Sequence, residues 1–149
     1  MKRQAGSPPR EGRRICVPGV RLIRLGLVKD DRGSLTVGEF RDLPFKPKRF
    51  FSVFDVPSEH LRGQHAHKRQ HQFIICMKGS CTVQVNDGHN RDEVRLNAPN
   101  VGVYVPPMVW AMQFRHTRDS LLMVLSSGVY NPDDYIRDYE QYLNTMLGK

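Results

Sequence analysis

Two histidines separated by one residue, His65 and His67, lie in the segment Arg62-Gly63-Gln64-His65-Ala66-His67. On an extended strand, residues two apart share a face and stand roughly 7 Å apart along the backbone. The spacing therefore predicts two imidazoles projecting into one site. Imidazole titrates near neutrality, so such a pair can supply a base and an acid to one substrate without extreme pKa tuning. A divalent cation is usually held by three or four protein ligands, and two neutral imidazoles beside the amide of Gln72 fall short of that. His71 is the one further histidine close in sequence, and its spacing from His67 would keep it on the same face, which leaves open a metal site of His65, His67 and His71.

The elements around the pair read as short strands. Phe73–Met77 is an apolar run, Lys78-Gly79-Ser80 a turn, and Cys81–Val85 an alternating strand, together predicting a histidine-bearing hairpin. Val20–Leu25 and Leu35–Phe40 predict a first hairpin across the turn residues 29–34. Arg49–Phe54 is aromatic and β-favouring, whereas Leu43–Lys48 contains prolines that bar it from a central strand. Asn86-Asp87-Gly88 marks a tight turn before Arg91–Leu96. Val101–Val105, Trp110–Phe114 and Ser120–Leu125 complete a series whose even spacing implies a β-sandwich or barrel. The period then changes. Asn131-Pro132-Asp133-Asp134 predicts a helix start, and Tyr135, Ile136, Tyr139, Tyr142, Leu143 and Met146 supply an apolar helical face.

The 149 residues fit one domain, with 39% hydrophobic and 26% charged residues. No apolar run approaches the roughly 18 residues of a membrane helix, so no membrane association is expected. No secretory h-region opens the chain, and three cysteines make no complete disulfide framework, which implies a reducing, cytoplasmic setting. The formal charge is +8, much of it in residues 1–16, where Lys2, Arg3, Arg10, Arg13 and Arg14 face Glu11 alone. We therefore expect a basic flexible tail over 1–16 and a single domain over 17–149. With no nucleic-acid-binding motif in the body, the remaining arginine excess suits an anionic small molecule better than DNA or RNA.

His65-x-His67, Gln72 and Gly79 resemble the first motif of the cupins, with glutamine where the metal-binding glutamate usually stands. No histidine occurs in Pro99–Trp110, the counterpart of the second motif. Asp31-Arg32-Gly33-Ser34-Leu35, Leu43-Pro44-Phe45, Arg62-Gly63-x-His65-Ala66-His67, Gln72-Phe73-Ile74-Ile75-Cys76, Val105-Pro106-Pro107-Met108-Val109-Trp110 and Asp134-Tyr135-Ile136-Arg137-Asp138-Tyr139 together resemble the dTDP-4-keto-6-deoxyglucose 3,4-ketoisomerases from about residue 20 onward. The resemblance implies an all-β, cupin-type jelly roll with a C-terminal helix. It also implies a homodimer with exchanged N-terminal strands and catalysis with no cofactor or metal on a thymidine-diphosphate sugar. His65 and His67 would be catalytic, and Arg32, Gly33, Arg62, Gln72, Tyr104 and Trp110 would contact substrate. Trp110 and Tyr104 suit barrel core equally well. Relatives often carry a tyrosine where this chain has Phe51. The alternatives are a cupin that binds a sugar nucleotide without chemistry and a metal-dependent cupin oxygenase.

Overall fold

The computed structural model describes residues 10–57 and 59–148, and the first part of the expected tail, residues 1–9, lies outside them. The strands are β1 (Arg10–Glu11), β2 (Arg21–Arg24), β3 (Gly26–Asp30), β4 (Gly33–Val37), β5 (Arg49–Phe54), β6 (Arg62–His67), β7 (Gln72–Lys78), β8 (Cys81–Asn86), β9 (Arg91–Leu96), β10 (Val101–Val105), β11 (Trp110–Phe114), β12 (Leu121–Ser126) and β13 (Tyr135–Ile136). One helix, α1 (Tyr139–Leu147), closes the described chain. Two sheets face each other, in the orders β1-β2-β10-β7-β12-β5 and β13-β6-β11-β8-β9, while β3 and β4 pair only with one another. This is the expected jelly roll. No helix among the described residues is long and apolar enough to cross a membrane.

Alternation decides which side chains meet between the sheets. Ile74 and Cys76 of β7, Val83 and Val85 of β8, Val94 and Leu96 of β9, Val103 and Val105 of β10, and Leu122 and Val124 of β12 form the inner core. Phe73, Ile75, Ile23 and Tyr104 point to the outer face of the larger sheet, where Leu43 and Phe45 pack over them. On β5 the same alternation turns Phe51 and Val53 inward and leaves Phe50 and Phe54 exposed.

Four sequence expectations need correction. First, β7 and β8 belong to opposite sheets, so Gly79 lies in a crossover and not in a hairpin turn. Its φ is +66°, and a Cβ there would come within 2.3 Å of Thr117 Oγ1, which is why glycine is required at this corner. Second, the first hairpin is β3–β4, turned at Asp31-Arg32, while β2 joins the larger sheet between β1 and β10.

Third, the helix does not begin at Asn131. Asn131 Oδ1 accepts from the Asp133 N–H at 3.0 Å and Pro132 opens a 3₁₀ turn, but the turn stops at Asp134. Tyr135 and Ile136 then pair with His67 and Ala66 along the edge of β6, and the helix starts afresh after Asp138, whose side chain caps the Gln141 N–H at 2.7 Å. Unpaired donors and acceptors on the β6 edge outcompete helix continuation at these two residues. Tyr142 fastens α1 to the smaller sheet. It is fully buried, with its hydroxyl 2.9 Å from the Asn86 and Met108 carbonyls.

Fourth, the described part of the expected tail packs on the sandwich. Arg10 and Glu11 pair with Arg24 and Ile23, Arg13 forks onto Asp92 with nitrogen–oxygen distances of 3.1 and 3.2 Å, and Ile15 belongs to the inner core. Replacing a buried isoleucine by alanine removes apolar contacts and leaves a cavity, so Ile15→Ala should lower unfolding stability by about 2–4 kcal/mol in a urea titration. A tail without a structural role would leave the midpoint unmoved.

Candidate active site

The inner face is apolar over most of its length and becomes polar at one end. There, β6 contributes His65 and His67, β7 contributes Gln72, β12 contributes Ser126 and β5 contributes Arg49. Gln72, Ser126 and Arg49 are neighbours in register. The amide of Gln72 donates to Ser126 Oγ at 3.3 Å, and Arg49 Nη2 donates to Ser126 Oγ at 3.3 Å and to Gln70 Oε1 at 3.1 Å.

The two histidines share this face as the spacing predicts, their ring centroids 4.9 Å apart and nearly perpendicular. His65 Nδ1 lies 2.8 Å from the Gly63 carbonyl, which can only accept, so Nδ1 carries the proton and Nε2 the lone pair. His67 Nδ1 lies 3.0 Å from Asp134 Oδ2, and the carboxylate fixes the same tautomer. His67 Nε2 is buried and has no hydrogen-bond partner among the described residues. Asp134 is itself held by the Arg69 N–H on Oδ1 at 2.8 Å and the Gln70 N–H on Oδ2 at 3.2 Å. The arrangement is a carboxylate-oriented imidazole beside a carbonyl-oriented one, each presenting Nε2 as a base.

Tyr135 packs against both rings, 4.8 Å from His65 and 4.4 Å from His67, and the Arg137 guanidinium lies over the Tyr135 ring at 4.2 Å. Burial pushes His65 down to about 4, against the pull of its bond to the Gly63 carbonyl, and the neighbouring His67 and Arg137 push the same way. Burial also lowers His67, outweighing the bond and the charge of Asp134, while Arg49 and Arg137 lower it further. Both rings are therefore neutral near neutral pH and ready to accept a proton.

Arg62 reaches the histidine face through a bulge. Gly63 and Gln64 have φ of +83° and +51°, and the register jumps so that Met112 opposes Gly63 while Ala111 opposes His65. The extra residue returns Arg62 to the side of His65, opposite Gln113, where its charge helps keep the buried His116 neutral after the dominant effect of burial.

The remaining residues named from sequence lie elsewhere. Tyr104 is on the outer face of the larger sheet, 2.6 Å from His71 Nδ1, which removes both from the company of His65 and His67. A metal site of His65, His67 and His71 is thus split between two faces of the sandwich. Trp110 lies under α1, packed against Tyr139 and Tyr142 at 5.0 and 5.4 Å. Arg32 and Gly33 stand at the exposed tip of β3–β4, with Arg32 bonded to Asp30 at 2.7 Å. Sequence reasoning missed Asp134, Tyr135 and Arg49 as site residues. The first two lay in a motif assigned to a helix, and the third in a strand assessed for its aromatics.

The family model described as FdtA, WxcM-like, C-terminal matches residues 18–147. The chain belongs to this family. A curated family relative from Aneurinibacillus thermoaerophilus, TDP-4-oxo-6-deoxy-alpha-D-glucose-3,4-oxoisomerase, is 40% identical over 123 residues, or 82% of this chain and 88% of its own. Among solved structures, a histidine-to-asparagine mutant of a 3,4-ketoisomerase from Thermoanaerobacterium thermosaccharolyticum, in complex with TDP-4-keto-6-deoxyglucose, superposes with a TM-score of 0.85. It is 34% identical, over 89% of this chain and 97% of that one. A TDP-quinovose 3,4-ketoisomerase from Campylobacter jejuni gives a TM-score of 0.81 at 35% identity, covering 86% of this chain and 99% of that one.

The depressed histidines set the sign of a pH effect. A histidine whose folded pKa is about 4, against 6.5 ordinarily, binds fewer protons folded than unfolded as pH falls. Stability should accordingly decline from about pH 6.5 toward pH 4, and His65→Asn should flatten part of that decline in pH-dependent urea unfolding. A His65 ring that titrates near 6.5 by NMR in the folded protein would contradict the burial argument.

Proposed function

We propose that this chain is a sugar-nucleotide 3,4-ketoisomerase that converts dTDP-4-keto-6-deoxyglucose to the 3-keto isomer. The observation that carries the reading is the pair of neutral imidazoles on one inner face, the second oriented by a buried carboxylate, in a chain 40% identical to an oxoisomerase. The reaction needs a group that takes the acidic proton at C3, beside the C4 carbonyl, and a group that returns a proton to C4. When the C3–H bond breaks, its electron pair forms C3=C4 and the carbonyl pair moves onto O4. Protonation at O4 gives the enediol. Loss of the O3 proton then lets the O3 pair form C3=O while C4 takes up a proton. Two imidazoles within 4.9 Å of each other can serve both carbons, each taking up and releasing the proton at Nε2.

Two further aspects belong to this reading. The β3–β4 hairpin exposes Leu27, Val28, Leu35 and Val37 and forms a sheet of its own. Such a hairpin suits exchange in a homodimer, where Arg32 and Gly33 would reach the partner's substrate, and the guanidinium suits diphosphate oxygens. The three cysteines are free thiols, in keeping with a cytoplasmic setting. A binding module without chemistry accounts less well for Asp134, because ligand contact alone has no need of a carboxylate that fixes a tautomer.

Incubation with dTDP-4-keto-6-deoxyglucose in deuterated water should give the 3-keto product with deuterium at C4, read by NMR. His65→Asn and His67→Asn should each reduce turnover by about 10²- to 10⁴-fold. A variant that still exchanges the C3 proton but forms no product assigns its histidine to the steps after enolisation. Retention of turnover within about tenfold by both variants would make the pair structural.

A further inference from the structure

The Arg49 guanidinium is linked to the His67–Asp134 pair through Gln70. Its Nη2 donates to Gln70 Oε1 at 3.1 Å, and the Gln70 N–H donates at 3.2 Å to Asp134 Oδ2, the same oxygen that His67 Nδ1 meets at 3.0 Å. The guanidinium carbon lies over two aromatic rings, 5.5 Å from the centre of Phe51 and 5.7 Å from that of Tyr130. Tyr130 in turn stands 5.9 Å from Tyr135, which touches both histidines. All of its hydrogen-bond partners are neutral, and it forms no ion pair among the described residues. Its Nε is buried with no hydrogen-bond partner, as is His67 Nε2. A half-buried cation fixed by neutral partners, with a spare N–H of its own and joined through Gln70 and Asp134 to an imidazole that has a spare nitrogen, is poised for a negative oxygen.

We propose that Arg49 holds the charge that develops on the C4 oxygen, so that the enediolate is stabilised electrostatically at the stage where His65 or His67 has taken the C3 proton. This inference rests on the ketoisomerase reading. Phe51 gives it a particular meaning, because the ring lying against the guanidinium has no hydroxyl to donate or relay a proton to that oxygen. Arg49 exchanges no proton itself. It lowers the cost of placing the carbonyl electron pair on O4, and it does so with donors already oriented by Gln70 and Ser126, so no reorganisation accompanies the charge movement. Its charge also helps keep His67 neutral, so one group prepares the base and receives the charge the base creates.

The test compares Arg49→Gln and Arg49→Lys with the parent on dTDP-4-keto-6-deoxyglucose, with thymidine diphosphate affinity measured by calorimetry and folding by circular dichroism. Loss of one preorganised donor at a developing oxyanion should lower kcat about 10²- to 10³-fold, with KM and thymidine diphosphate affinity within about threefold of the parent. Lysine should recover little, lacking the planar fork. In Arg49→Gln the acidic limb of the kcat/KM profile should move to higher pH, because the cation that depresses His67 is gone. Turnover preserved within about threefold in folded Arg49→Gln overturns the proposal, and so does a loss confined to KM and thymidine diphosphate affinity, which would make Arg49 a diphosphate anchor. Should the glutamine variant not fold, the lysine variant decides alone, with kcat near that of the parent against the proposal. A parent that gives no 3-keto product overturns the ketoisomerase reading itself and this inference with it.

Discussion

The hydrogen bond between His67 Nδ1 and Asp134 is the contact on which the site depends. It joins residues 67 positions apart, is buried on both sides, and is backed by two main-chain N–H groups on the carboxylate. Removing the carboxylate would leave a buried imidazole N–H without an acceptor, at a cost of about 1–3 kcal/mol. It would also free the ring to change tautomer. The same bond holds the strand Tyr135–Ile136 against β6, and through it Tyr135 against both imidazoles. The tautomer of His67 and the seating of β13 thus rest on a single contact.

Electrostatics and packing cooperate around this bond. Burial is the largest effect holding both rings below the ordinary histidine range, and Arg49 and Arg137 push in the same direction at His67. Asp134 opposes them, and so a group with two cations nearby retains basicity enough to accept a proton without being protonated at rest. The apolar inner core sets the boundary of this polar end. Val105 stands in register with Gln72, Val85 shares the row of Ala111 and His65, and Val124 precedes Ser126 on the same face, so a low-dielectric floor strengthens each charge and dipole beside it.

Much of this was legible in the sequence. Strand positions from β5 to β12 follow from alternation and turn residues, and the common face of His65 and His67 follows from their spacing. What failed shares one physical origin. Periodicity gives the face of a residue within its own element, but not which element lies opposite. The crossover at Gly79 reads like any hairpin turn because glycine with positive φ serves both. His71 keeps an even spacing from His67, yet the chain changes sheet between them, so parity loses its meaning. The bulge at Gly63-Gln64 shifts Arg62 by one position, and no local pattern announces it. Asp134 carried all the marks of a helix-start acid, and its real partner was set by a strand far earlier in the chain.

The late position of Asp134 has a consequence for how the molecule is made. The ten strands of the two sheets other than β13 all precede it in sequence, so the sheets can close while His67 still lacks its orienting carboxylate. The sandwich can thus assemble with the His67 ring unoriented until the segment from Asp134 to Ile136 docks along β6. A polypeptide cut short before Asp134 would keep most of its inner core while being unable to orient His67.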